Sequence, residues 1–129
     1  MRLLPTAMAA LIVASSFTVP VQADPQQLVA NICHYVKSDD KNRLRKKLKE
    51  NRLKLRSIYS GISCDGKSLL RTAFDANADK IGTFVAKRLS VKELKSVEAD
   101  GQTIIDWAKT KGYASSAITS AIEARIAGS

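Results

Sequence analysis

The chain has 129 residues, with 21 Lys plus Arg against 12 Asp plus Glu, a formal net charge of +9. Length and a 45% hydrophobic content fit one globular domain and exclude wholesale disorder, collagen, coiled-coil and multi-pass membrane classes. One His, two Cys and scattered acids leave little material for a catalytic site.

The first segment reads as an export leader. Arg2 is the one charged side chain before Asp24, and a mostly apolar stretch runs from Leu3 to Val19. It closes on Val21-Gln22-Ala23, with small residues at the positions a signal peptidase reads. A membrane anchor wants about 20 strongly apolar residues, and here Pro5, Thr6, Ser15, Ser16, Thr18 and Pro20 dilute the stretch. The expectation is a cleaved signal peptide over residues 1–23, a single helical domain over 24–129, and no transmembrane segment after processing. Location is then periplasmic or secreted. The mature part loses only Arg2, leaving a net charge of +8.

From Asp24 the periodicity is helical. Asp24-Pro25 suits a helix entry, and Leu28, Val29, Ile32, Cys33 and Val36 share one face to about Lys37. Ser38-Asp39-Asp40 breaks this helix and caps the next, in which Leu44, Leu48 and, further on, Leu55 fall together. Leu53 and Leu55 alternate with charges, so a short strand or an irregular turn stands as the alternative there, before a turn at Ser60-Gly61. Asp65-Gly66 opens a helix burying Leu69, Leu70, Ala73 and Phe74. After Asn77-Ala78-Asp79 comes another, with Ile81, Phe84, Val85 and Leu89. Ser90 caps a short segment holding Val91, Leu94 and Val97. Asp100-Gly101 opens a helix with Ile104, Ile105, Trp107 and Ala108 that Gly112 ends. The last helix runs from Ala114 to Ala127, with Ile118, Ile122 and Ile126 spaced by four.

Cys33 and Cys64 are the only cysteines. In an exported chain an even count reads as a disulfide. Two free thiols, or a redox or metal role, are the alternatives. Against the last, the chain lacks a Cys-x-x-Cys pair, and His34 alone cannot complete a zinc shell.

Asp65-Gly66-Lys67-Ser68-Leu69-Leu70 and Asp100-Gly101-Gln102-Thr103-Ile104-Ile105 stand 35 residues apart. Each has Ala seven residues after its Gly (Ala73, Ala108) and a helix-ending residue eleven after it (Asn77, Gly112). Ser68 and Thr103 stand where a hydroxyl caps the helix that follows. This pattern over 65–127 resembles the ankyrin repeat. The departures are Ser68-Leu69-Leu70-Arg71 and Thr103-Ile104-Ile105-Asp106 where that family has Thr-Pro-Leu-His. An earlier unit, from about Gln27 through Lys49, lacks the Asp-Gly opening and pairs Cys33 with Ala73 at a longer spacing. The fold expected is all-α, stacked ankyrin-like helical hairpins with one disulfide. An irregular small helical bundle is the alternative.

Ile32-Cys33-His34-Tyr35-Val36-Lys37-Ser38-Asp39-Asp40-Lys41, with Arg43-Leu44-Arg45 and Ser63-Cys64-Asp65-Gly66-Lys67-Ser68-Leu69-Leu70 downstream, is similar to a second family over residues 31–89. These are small exported bacterial proteins catalogued as domain of unknown function 3718. The resemblance implies a signal peptide and a paired Cys motif, and brings no activity, ligand or catalytic residue.

Between Lys37 and Arg56 stand ten basic residues against three acids, net +7, so the rest of the mature chain is nearly neutral. The anion-binding or partner-binding candidates are Lys41, Arg43, Arg45, Lys46, Lys47, Lys49, Arg52, Lys54 and Arg56. Such a stripe is either a solvated helix face or a surface for phosphates, anionic lipid or polysaccharide, or an acidic protein. Missing interleaved aromatics and reading motifs argue against nucleic acid.

His34 and Cys33 point about 100° apart on a helix and form no nucleophile–base pair by spacing. No catalytic residue, metal site or cofactor is expected. The function expected is a non-enzymatic, exported, protein-binding module. A peripheral binder of anionic envelope lipid or polysaccharide through residues 37–56 is the alternative.

Overall fold

The computed structural model describes residues 25–128. The leader expected over 1–23 and its cleavage after Ala23 lie outside the described residues. Those described form eight α-helices and one 3₁₀ turn. Among them β pairing is confined to two isolated bridges, Cys64 with Lys67 and Val97 with Thr103.

Three helical hairpins carry the architecture. The first is α1 (Pro25–Lys37), which buries Ile32, Cys33 and Val36, with α2 (Lys41–Glu50), which buries Leu44 and Leu48. The second is α4 (Leu69–Asp75) with α5 (Asp79–Arg88), and the third is α7 (Ile104–Thr110) with α8 (Ala117–Ala127). Between them lie the short α3 (Leu55–Ile58), the 3₁₀ turn Tyr59–Gly61, and α6 (Val91–Lys95). α1, α4 and α7 pack in succession as one row, and α2, α5 and α8 as a second. Side chains from all eight helices share one buried cluster.

Each hairpin reverses through the same device. One residue takes the left-handed conformation: Asp39 (φ 56°), Asn77 (φ 54°) and Gly112 (φ 85°). The next N–H then reaches back five positions, Asp40 to the Tyr35 carbonyl (2.8 Å), Ala78 to Ala73 (2.9 Å) and Tyr113 to Ala108 (2.7 Å). Bonds of this kind satisfy carbonyls that a helix end leaves open. They also set the register. By this bond Tyr35, not the expected Cys33, corresponds to Ala73 and Ala108, so the first unit starts two residues later than its apolar pattern suggests.

The Asp-Gly openings act as read. Asp65 (φ 53°) and Gly66 (φ 83°) form a two-residue reversal closed by reciprocal Cys64–Lys67 bonds of 2.7 and 3.0 Å. Ser68 and Thr103 then accept the N–H groups of Arg71 and Asp106, at 3.3 and 3.1 Å, and start α4 and α7. Ser90 and Glu93 close a full capping box on α6. A Cβ on Gly82 would fall 2.6 Å from Ile118 Cγ1 and 3.3 Å from Ala73 Cβ. Glycine there lets α5 meet α8 and α4 closely.

Of the two alternatives at residues 51–54 the irregular turn forms, with Arg52 in the left-handed region and Leu55 starting α3, and the strand does not. Three local expectations change. α8 begins at Ala117 rather than Ala114, because Ser116 accepts the Ile118 N–H (3.1 Å) and caps it. Val97 is 63% exposed, not buried with Leu94, because Ser96 leaves the helix in an extended conformation. Phe84 and Ile126 are half-buried at the edge of the core.

Cys33 and Cys64 form a disulfide with Cα atoms 5.6 Å apart. It joins α1 to the turn that opens α4.

Candidate functional site

The residues between α2 and α3 decide where the basic charge goes. Leu44 and Leu48 turn into the core, which leaves Arg45 and Lys49, four apart, on one outer flank. Arg52 (φ 54°) then folds the chain back, and the Leu53 N–H bonds the Leu48 carbonyl at 2.8 Å. This turn brings Leu53, Lys54, Leu55 and Arg56 against the end of α2.

α5 faces them across a groove of about 540 Å³. Its walls are seven cations: Arg45, Lys49, Lys54, Arg56, Lys87, Arg88 and Arg125. Its apolar lining is Leu48, Leu53, Leu55 and Phe84. No carboxylate among the described residues lines it. The Arg88 guanidinium lies over the Phe84 ring, 4.9 Å from its centre, which orients the fork by cation–π attraction. Arg125 Nε donates to the Leu89 carbonyl at 3.2 Å and anchors that side chain across the end of α5.

Several acids among the described residues pair with other cations. Lys37 pairs with Asp65, Arg43 with Asp40, Lys47 with Glu50, Lys67 with Asp75 and Lys109 with Glu123. None of the seven groove cations has an ion-pair partner among the described residues. Of the nine residues singled out in the sequence, Arg45, Lys49, Lys54 and Arg56 converge on the groove. Arg43 and Lys47 are paired with acids, and Lys41, Lys46 and Arg52 lie outside it. Lys87, Arg88, Phe84 and Arg125 escape a sequence reading, because they come from segments that are nearly neutral in total. The signal present was the basic ends of α5 and α8.

A second polar cluster sits at the other side of the second hairpin. Arg71, on α4, holds Asp100 through two bonds of 2.7 and 2.8 Å, with its Nε 2.7 Å from Glu98 Oε1. That last contact is a charge contact only, since the Nε–H has no aligned acceptor. The guanidinium also lies 4.9 Å from the centre of the Trp107 ring. Tyr59 donates to Glu98 at 2.8 Å. The Arg71 bonds hold the Asp100 carboxyl down to about 2. Burial, and then the Glu98 charge, push the Tyr59 hydroxyl far above its ordinary value. Asp75 feels burial pushing it up, but Lys67 and the Tyr113 hydroxyl (2.7 Å) hold it below the ordinary range. A shallow groove beside this cluster, also about 540 Å³, is lined by Tyr59, Ile62, Ser68, Arg71, Val97 and Glu98, among others.

Among the described residues no three His, Cys, Asp or Glu side chains gather as metal ligands. Cys33, in the disulfide, offers no thiolate, and His34 is exposed on α1. No described helix is long and apolar enough to cross a membrane. What the basic groove can do is hold an anion by several charge-assisted hydrogen bonds.

Residues 32–96 match the family described as "Protein of unknown function (DUF3718)". No curated protein and no solved structure matches the chain.

Proposed function

The chain belongs to the DUF3718 family of proteins of unknown function, which supplies no activity, and from its own geometry we propose an exported, non-enzymatic binding module for an anionic partner. One observation carries this reading: seven cations from α2, α3 and its lead-in, α5 and α8, none with an ion-pair partner among the described residues, surround a groove that no described carboxylate lines. Three hairpins with the same left-handed turn, two of them with the same hydroxyl-capped opening, support an ankyrin-like stack as the scaffold. Export is supported by the disulfide, which belongs in an oxidising compartment. On this scaffold the groove lies along the row of α2, α5 and α8.

Calorimetric titration with soluble polyphosphate tests the groove. Binding is expected at low salt and weakens as salt rises, because screening acts on solvent-exposed charges. The variant R45E/K49E/R88E loses about tenfold or more in affinity, whereas K92E/K95E/K111E, with the same change in net charge, stays near wild type. Equal losses in both variants would show that only net charge matters and would remove the groove as a site.

A second reading is favoured by one observation. Val97 is 63% exposed on the shallow groove beside Arg71. An isolated apolar contact among polar side chains suits a protein partner. A partner recovered by pull-down that is lost with Val97→Asp and retained with R45E/K49E/R88E supports this reading; the opposite pattern returns the binding to the basic groove.

A further inference from the structure

The lining of the basic groove says more than its sign. Every polar side chain in it is Lys or Arg. These groups donate hydrogen bonds and accept none. A peptide lying there would leave its own N–H groups without side-chain acceptors, and a sugar would leave its hydroxyl donors in the same position. A phosphate ester has only acceptors, so it meets this lining without loss.

The remaining lining is apolar. Leu48 and Leu55 are buried, and Leu53 and Phe84 are half-buried between the cations. A free polyanion would press hydrated oxygens against these carbons. An amphiphile would instead set its phosphate among the cations and its first apolar carbons against Leu53 and Phe84. The surface combines an apolar strip with a surround of Lys and Arg, as peripheral membrane contacts do, although it is built here from several elements rather than one helix. No described helix can cross the bilayer, so the contact would be peripheral.

We propose that the groove docks the phosphate-ester headgroup of an anionic membrane lipid, with Arg45, Lys49 and Arg88 holding the phosphate and Leu53 and Phe84 meeting its apolar part. This deepens the anion-binding reading above and rests on it.

Co-sedimentation with vesicles tests it. Wild-type protein is expected on phosphatidylcholine vesicles containing about 30% phosphatidylglycerol and not on phosphatidylcholine alone. R45E/K49E/R88E loses about a hundredfold or more of that binding, on the basis of the attraction each basic residue contributes at an anionic surface. Leu53→Gln lowers vesicle binding by about three- to tenfold, while its affinity for soluble polyphosphate does not fall. That second measurement shows that the variant is folded and its cations are in place. Wild-type protein that binds polyphosphate but not anionic vesicles overturns the lipid and leaves the anion groove standing. Equal vesicle binding by Leu53→Gln and wild type also overturns it. Failure to bind either probe overturns both.

Discussion

Asp39 sits at φ 56°, a conformation that costs most L-residues roughly 1–2 kcal/mol and that Asp tolerates better. Its carboxylate does not cap α2, for that task falls to Asp40, which accepts the Arg43 N–H at 3.1 Å. Asp39 Oδ1 instead accepts the Ile81 N–H at 2.8 Å, 42 residues along the chain. α5 needs this, because its own N-cap residue is Ala78, whose methyl side chain offers no acceptor. One carboxylate thus joins the turn of the first hairpin to the N-terminus of α5, the second arm of the second hairpin. Asp39→Ala is expected to lower the unfolding free energy by about 2 kcal/mol, through the lost cap and the backbone penalty together. Asp39→Asn, which keeps the oxygen and tolerates the backbone, recovers most of it; urea denaturation of both variants measures the difference. The sequence shows Ser38-Asp39-Asp40 as a break and a cap. It does not show that the two aspartates cap different helices, since one acceptor works across tertiary space.

At the scale of elements, the Arg71 cluster ties α4 to the loop ahead of α7. The Asp100 carboxyl sits at about 2, against an ordinary value of 3.8, chiefly because Arg71 hydrogen-bonds its charged form. A depressed carboxyl contributes stability that is present above its ordinary range and lost as pH falls through its folded value. Melting temperature is therefore expected to drop between about pH 4 and pH 2. Asp65, held down by Lys37, and Asp75, held down by Lys67 and Tyr113 against its own burial, act in the same direction. Asp100→Asn starts less stable at neutral pH and loses less on acidification; parallel melting curves from both proteins would refute the linkage. Tyr59 works at the other end. Its raised value in the folded state favours the neutral phenol, so the stability it supplies is lost as pH rises beyond 10.0.

The Asp-Gly recurrence marked these openings in the sequence, and the hydroxyl caps followed from it. The hairpin turns at Asn77 and Gly112 were legible as well, because both residue types are at home in the left-handed region. The register of the first unit was not. Ile32, Cys33 and Val36 are all buried, so the apolar pattern alone admits either alignment, and only the Asp40-to-Tyr35 bond selects one.

Over the whole molecule, the disulfide and the charge distribution set the behaviour. Cys33 and Cys64 are 31 residues apart, and the loop they close holds all of α2 and α3. These two elements and the turn between them carry four of the seven groove cations. Replacing both cysteines by serine is expected to cost about 3–4 kcal/mol of stability, from the loop-closure entropy returned to the unfolded chain. Urea denaturation of the double variant, compared with wild type under oxidising conditions, measures it.

The sequence by itself determined the helical class, the two equivalent openings, the pairing partners among two cysteines, and the concentration of charge between Lys37 and Arg56. These are local properties: a period, a cap, a left-handed residue, a count. Tertiary structure alone decided which charges work together. Ion pairs to Asp40 and Glu50 engage Arg43 and Lys47, while Lys87, Arg88 and Arg125 join Arg45, Lys49, Lys54 and Arg56 from distant positions. A groove depends on the faces that helices present to one another, and those are fixed by packing through Leu48, Phe84 and the close approach at Gly82. No run of neighbouring residues holds that information.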